Sequence, residues 1–325
     1  MIAENKGKLA VYWAASCGGC EIALLAINEK ILEVAKHFDI VLWPCATDGK
    51  VRDVEKMADG SIDVCLFNGG IRTSEHEYMA RLLRRKAKVL VAFGSCASEG
   101  CIPGLANTSD RKEIFRTVYH ETPSTENPQG IEPRHAVEMP EGKLHLPIFY
   151  DTLFTLDQIV HVDYYLPGCP PEAERIWEAI TAILENKLPP KGSVIGANTT
   201  VCDECPRKRT EKKIRKFYRT WEIIPDEETC LLEQGIICAG VATRAGCGAK
   251  CPRVNSPCIG CYGVNDGVDF GARLMSALAS VIDSDDPEEI EQIIREGIPD
   301  PVGTFYRFSL AHSLLRRKKK APAGA

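Results

Sequence analysis

The chain has 325 residues, 44% of them apolar and 26% charged, with 40 Lys and Arg against 45 Asp and Glu for a net charge of −5. The length suggests two domains, the composition excludes wholesale disorder, and the charge gives no reason to expect nucleic acid as a partner. No apolar run approaches the ~20 residues of a membrane span. The opening MIAENKGKLAVYW carries neither a basic cleavable signal nor a twin arginine, so the chain is expected in the cytoplasm.

In chain order, Lys8–Ala14 has the apolar run of a buried strand, and Glu21–Lys36 places apolar residues at helical spacing. Asp39–Pro44 and Ile62–Asn68 read as further strands. Ser74–Arg85 reads as a helix capped by Ser74, with Glu77 three residues on. Strands at Lys88–Phe93 and Val162–Leu166 follow, then a helix over Pro171–Asn186 with proline in its first turn. Residues 97–160, rich in Pro, His and Gly, read as a long surface insertion. Strand–helix alternation of this kind predicts a doubly wound parallel sheet covered on both faces over residues 1–190.

Beyond Leu188-Pro-Pro-Lys-Gly the pattern changes. Residues 192–265 show little periodicity apart from a basic, helix-compatible stretch at Arg207–Tyr218, yet they hold eight of the 15 cysteines. A segment so poor in regular structure needs another source of order, and bound metal supplies one. Residues 191–325 are therefore expected to form a second, metal-ordered domain. Its acidic segment Asp286–Glu296 predicts a short helix, and its basic end, Leu314–Ala325, a frayed terminus.

In a cytosolic protein thiols stay reduced, so paired cysteines point to metal rather than disulfides. Cys45 and Cys65 lie in or at the end of apolar strands and read as small buried hydrophobes. Cys17 and Cys20, Cys96 and Cys169 instead follow the carboxyl ends of three predicted strands, the edge where doubly wound sheets collect ligands. Four thiolates there suit one [4Fe–4S] cluster, with Gly18, Gly19, Gly94 and Gly168 letting backbone approach the sulfides. Cys101, in SCASEGC, is either a spare thiol or an alternate ligand, and is left outside the coordination.

The second half offers Cys202-x2-Cys205, Cys230-x7-Cys238, Cys247-x3-Cys251-Pro and Cys258-x2-Cys261. Eight thiols make two four-thiolate sites, the first two pairs forming one and the last two the other. Structural zinc is the competing reading, but no histidine lies between 162 and 311 and the x7 and x3 spacings are unusual for zinc. The spacings favour iron–sulfur, and three clusters in series would carry electrons. There is no P-loop and no GxGxxG after the first strand, and CGGC stands where a phosphate loop would bind flavin, so no flavin is expected in this chain.

SCGGCE at 16–21, GSCA at 94–97, PGCPP at 167–171, CDEC at 202–205, CLLEQGIICAG at 230–240 and PCIGC at 257–261 together resemble the small subunit of [NiFe] hydrogenases. The likeness is strongest to the cytoplasmic F420-non-reducing (methyl-viologen-reducing) branch, which in methanogens works with heterodisulfide reductase. The resemblance implies a flavodoxin-like domain facing the Ni–Fe centre of a separate large subunit. It makes Cys17, Cys20, Cys96 and Cys169 the ligands of a proximal cluster. Cys247, Cys251, Cys258 and Cys261 become medial ligands, and Cys202, Cys205, Cys230 and Cys238 distal ones. Electrons would leave for an iron–sulfur or flavin acceptor.

Periplasmic members have a histidine where this chain has Cys202 and only three medial cysteines, so the added thiolates imply lower cluster potentials. The resemblance also puts Glu21 near the large-subunit interface. There it either serves a proton route or simply suits the first turn of a helix through the dipole. Arg207-Lys-Arg and Arg316-Arg-Lys-Lys-Lys read as solvated basic faces that could also steer an acidic partner. The other readings are a quinone-reductase-type subunit, which typically has adjacent cysteines and one cluster, and a zinc-stabilised binding protein.

Overall fold

The computed structural model describes residues 6–316. Its strands are, in chain order, β1 (Gly7–Trp13), β2 (Phe38–Leu42), β3 (Ile62–Asn68), β4 (Ile71–Thr73), β5 (Ala87–Phe93), β6 (Ala136–Met139), β7 (Gly142–His145), β8 (Phe149–Phe154) and β9 (Tyr164–Leu166). The helices of the first part are α1 (Gly19–Leu25), α2 (Lys30–His37), α3 (Val51–Lys56), α4 (Ser74–Lys86), α5 (Ser95–Glu99), α6 (Cys101–Gly104), α7 (Arg111–Arg116) and α8 (Ala173–Leu184). Those of the second are α9 (Val201–Glu204), α10 (Lys250–Arg253), α11 (Phe270–Val281), α12 (Pro287–Gly297) and α13 (Pro301–Phe305).

The central sheet is parallel throughout, in the order β2-β1-β3-β5-β9. Counting only its own strands this is 2-1-3-4-5, the flavodoxin-like doubly wound arrangement. Its strands are apolar because both faces are covered. One face packs residues such as Tyr12, Phe67, Leu83 and Leu90 against α4, and the other packs Val11, Leu66, Phe93 and Ile180 against α1 and α8. Parallel strands put all their carboxyl ends on one edge, so the loops after β1, β5 and β9 meet there.

Several local expectations are corrected. The helix expected over Glu21–Lys36 is two, because Asn28 takes a left-handed φ of 56° between α1 and α2. Thr73, not Ser74, caps α4 by accepting from the His76 amide, while the Ser74 hydroxyl accepts from the Ile148 amide. The last helix of this lobe begins at Ala173, after a cis Cys169–Pro170 peptide, rather than at Pro171. Residues 97–160 are only partly a surface insertion. The β6–β7 hairpin is exposed, but β8 pairs antiparallel with β4, and Cys101, Asn107 and Leu153 are buried.

Beyond residue 192 order comes from short pieces. Arg207–Tyr218 is not a helix: Lys208, Ile214 and Tyr218 make isolated bridges to Thr229, Ile282 and Ile236. Helices α11 to α13 gather a smaller apolar core around Leu274, Leu278, Phe217 and Phe305. The acidic helix is present as α12, capped by Asp286. The chain then returns to the first lobe: the Cys101 amide donates to Phe308 O at 2.9 Å and Gln158 Nε2 to Ala311 O at 3.0 Å. Of the C-terminal stretch expected to fray, residues 317–325, with most of the basic run, lie outside the described residues. No helix among those described is long and apolar enough to cross a membrane.

Candidate metal centres

The loop after β1 turns sharply. The Trp13 indole donates to Ser16 O at 3.2 Å and its ring lies against Gly18, where a Cβ would come within 3.0 Å of it. Gly18 takes the left-handed φ of 81° that opens α1, leaving Cys17 exposed and Cys20 buried. Gly94 plays the same part after β5, at φ 84°; a Cβ there would sit 2.3 Å from the Cys20 sulfur. The Gly94 amide donates to Leu166 O and the Ser95 amide to Gly168 O, both at 2.8 Å, which sets the Cys96 loop beside the Cys169 loop.

The structure thus brings Cys17, Cys20, Cys96 and Cys169 to one sheet edge. Burial first, then the nearby Cys169 and Cys17 sulfurs and Glu21, push the Cys20 thiol up to about 12. Cys101 belongs to the same group. It is fully buried and close enough to Cys169 and Cys96 for their thiols to shift one another's titration. Cys65 is buried as expected, but Cys45 is exposed, because β2 ends at Leu42 and leaves it in the following turn. Glu21 is buried, accepts from the Trp43 indole N–H, and has its carboxyl raised by burial against that bond.

Cys202 sits on α9, whose Thr200–Asp203 capping box holds the turn. Burial raises its thiol to about 11, Arg209 opposes that rise, and Cys238, Cys230 and Cys205 reinforce it, so these four sulfurs are neighbours. Burial likewise raises Cys261 to about 12, helped by Cys247, then Cys169 and Cys251. Cys261 therefore faces Cys247 and Cys251 as well as the sheet-edge Cys169. On the other side, the Cys258 amide donates to the Cys238 sulfur at 3.3 Å and the Cys258 thiol to Thr243 Oγ1 at 3.4 Å. The thiols therefore run in a continuous series from the sheet-edge cysteines, through Cys261 and Cys258, to Cys238.

Side chains not singled out by the sequence hold these loops together. Ser95 Oγ accepts from the Gly168 amide at 2.9 Å and donates to Cys261 O at 2.7 Å. Glu204 accepts from the Gly246 and Gly248 amides on either side of Cys247, both at 3.0 Å. Arg207, expected on a solvated face, is buried: its guanidinium donates to Pro252 O, Asp226 O, Thr229 O and Asn255 Oδ1. The GSCA and CDEC motifs flagged the cysteines, but a single serine or arginine beside them carries no periodic signal.

No three His, Cys, Asp or Glu side chains among the described residues are gathered as a single-ion site. What is gathered is sulfur, with small residues at its margin. A Cβ on Gly240 would lie 3.3 Å from the Cys202 sulfur, and one on Gly19 the same distance from Cys17. An all-thiol donor set lined by glycine fits iron–sulfur clusters, whose sulfides need close backbone approach. Burial favours the neutral thiol at Cys20, Cys202, Cys258 and Cys261, so metal binding there must displace protons.

A doubly wound sheet carrying thiols at its ligand edge, followed by a cysteine-rich extension, defines an electron-transfer iron–sulfur subunit of an oxidoreductase. Residues 17–183 match the family model described as NADH ubiquinone oxidoreductase, 20 Kd subunit. The iron–sulfur subunit of the F420-non-reducing hydrogenase of Archaeoglobus profundus is 39% identical over 318 residues, covering 96% of this chain and 98% of its own. The equivalent vhu subunit of the F420-non-reducing hydrogenase of Methanocaldococcus jannaschii is 39% identical over 317 residues, again covering 96% and 98%. In fold the chain is similar to the [NiFeSe] hydrogenase of Desulfovibrio vulgaris Hildenborough, with a TM-score of 0.51 at 16% identity, covering 84% of this chain and 99% of that one. The chain belongs to the family of F420-non-reducing hydrogenase iron–sulfur subunits, small subunits of the [NiFe] hydrogenase type.

Proposed function

We propose that the chain binds three [4Fe–4S] clusters and passes electrons through them from hydrogen oxidised on a partner large subunit. Cys17, Cys20, Cys96 and Cys169 would hold the proximal cluster. Cys247, Cys251, Cys258 and Cys261 would hold the medial one, and Cys202, Cys205, Cys230 and Cys238 the distal one. The observation that carries this reading is the continuous series of thiols from the sheet-edge cysteines, through Cys261 and Cys258, to Cys238. When bound, the clusters supply one-electron transfer; the chain's own work is to hold them in that order.

The large subunit would cover the sheet edge, where Trp13, Ile22, Leu25 and Ile102 are exposed beside the proximal cysteines. Such apolar side chains around a functional edge mark an interaction site. The acceptor would be an iron–sulfur or flavin protein such as heterodisulfide reductase, in the cytoplasm. Residues 1–190 and 191–325 would act as proximal-cluster and medial/distal-cluster domains, the tail of the second packing back onto the first.

Metal and sulfide analysis of the anaerobically purified complex, with EPR of the reduced sample, tests this. About twelve irons and twelve labile sulfides on this subunit are expected from three cubanes. Zinc without labile sulfide would overturn the reading and leave the cysteines as a scaffold. A medial potential well above the other two would contradict a four-iron cluster held by Cys251.

A further inference from the structure

A cleft of about 680 Å³ with a mixed apolar and polar lining opens where the two lobes and the returning C-terminal segment meet, and Glu99, Asp157, Arg244, Asn265, Ser309 and His312 are among its polar members. Glu99 Oε2, Asn265 Oδ1 and Ser309 Oγ are buried and have no hydrogen-bond partner among the described residues. These orphaned polar atoms, with exposed residues such as Asp266 and Gly267 at the wall, make this part of the cleft a place for ordered water.

Glu99 also lies between two cysteine loops. It ends α5, three residues after Cys96, and its Oε1 accepts from the Val264 amide at 3.2 Å, three residues after Cys261. Gly263 leaves room for it, since a Cβ there would fall 1.9 Å from Oε1. The second oxygen, Oε2, is left for water.

We propose that Glu99 is a proton-binding site linked to electron transfer, taking a proton from cleft water when the neighbouring clusters gain an electron. This rests on the cluster assignment above. The balance is one electron from the hydrogenase reaction, or a chemical reductant, and one proton from solvent; the carboxylate becomes a carboxylic acid and no other bond changes. The charged groups facing Glu99 are His312, paired with Asp157 at 3.5 Å, and Arg244, paired with Asp266; Asp269 lies further along the cleft wall. Burial raises the Glu99 carboxyl to about 7 against the pull of His312, the Val264 amide and Arg244, with Asp157 adding to the rise. Burial thus works to hold the carboxyl neutral, while its second oxygen stays open to cleft water.

The sign follows from reciprocity. An added electron favours the neutral acid, so reduction raises the proton affinity of Glu99. Potentials should then fall with rising pH inside a window beginning near the carboxyl's own titration, by up to about 59 mV per pH unit, a tenfold change for one electron. Below that window Glu99 is neutral in both redox states, and above it ionised in both, so the potential is flat.

The experiment is an EPR-monitored redox titration of the purified complex across that pH range, with iron and sulfide measured on the same samples. Wild type should show the sloping window. Glu99→Gln, an isostere of the neutral acid, should be flat at the potential wild type reaches at low pH. His312→Gln removes a facing cation and should move the window to higher pH, deciding the matter if Glu99→Gln fails to assemble. A flat wild type, the same slope in Glu99→Gln, or an unmoved window in His312→Gln overturns the proposal while intact clusters leave the electron-transfer reading standing. Samples without clusters at these loops would instead overturn that reading.

Discussion

The two halves of the molecule fix cysteines by different means. In the first, a five-stranded parallel sheet with apolar layers on both faces carries its loops to one edge, so the positions of Cys17, Cys96 and Cys169 are consequences of a hydrophobic core. In the second, residues 192–265 contain two four-residue α-helices, two short 3-10 helices and a few turns, and charged side chains that reach backbone hold the cysteine loops. Glu233, for example, accepts from the Thr210 amide, the Thr210 hydroxyl and the Glu211 amide. A core positions thiols whether or not metal is present; a set of cross-linked loops depends on what the thiols bind.

Stripping the clusters should therefore separate the halves, and this is the largest effect expected. After anaerobic chelation of the complex, amides of residues 192–265 should lose their protection from hydrogen exchange. Those of β1, β3 and β5, whose side chains include the fully buried Val11, Phe67 and Leu90, should keep theirs. Equal loss in both regions would erase the distinction.

Removing one charged tie should act on the second half alone. Arg207 joins Asp226 and Thr229, just before Cys230, to Pro252 and Asn255, just after Cys251. Arg207→Ala removes four charge-assisted hydrogen bonds at once; Gln234 and the Asn255 amide still reach the three carbonyls, so the cost should be about 1.5–3 kcal/mol. EPR signals of the clusters assigned to Cys230 and Cys251 should broaden or shift, with the proximal signal unchanged. Arg207→Lys should restore little, because a point donor cannot reproduce a planar fork serving several acceptors. A proximal signal that changes alongside the others would mean the halves are not independent.

The same contrast explains what the sequence made readable. Strand apolarity located β1, β2, β3 and β5 to within a residue or two, and with them the strand-end cysteines, because a parallel sheet needs continuous apolar runs. Helical spacing continued across Asn28, whose left-handed backbone no periodicity records. At Arg207–Tyr218 the buried Ile214 and Phe217 are three residues apart, as on a helix, yet the chain is irregular, with Glu211 at a φ of 59° and Ile214 bridging Ile282. Strand β4 has three residues, too few to show a period, so its pairing with β8 was hidden. Buried ties such as Arg207 and Glu99 look like surface charges in sequence, since only the packed structure reveals that their solvent has been replaced by backbone.

The smallest expected effect concerns the junction between the halves. Ser95 is the second residue of the turn after β5, and its hydroxyl both receives the Gly168 amide, next to Cys169, and donates to the Cys261 carbonyl. It thus holds the loops of two cysteine groups in register through one oxygen. Ser95→Ala leaves a backbone donor and an acceptor without partners at a buried position, which should lower stability by about 1–3 kcal/mol. It removes no thiol and no core volume, so iron and sulfide content should match wild type. The change to look for is in the magnetic interaction between the two clusters proposed at the Cys169 and Cys261 loops, because those loops are no longer tied. Ser95→Thr keeps the hydroxyl and should preserve that interaction if the extra methyl is accommodated. Identical spectra for wild type and Ser95→Ala would show that backbone contacts alone, such as the 2.8 Å bond from the Ser95 amide to Gly168 O, set the junction.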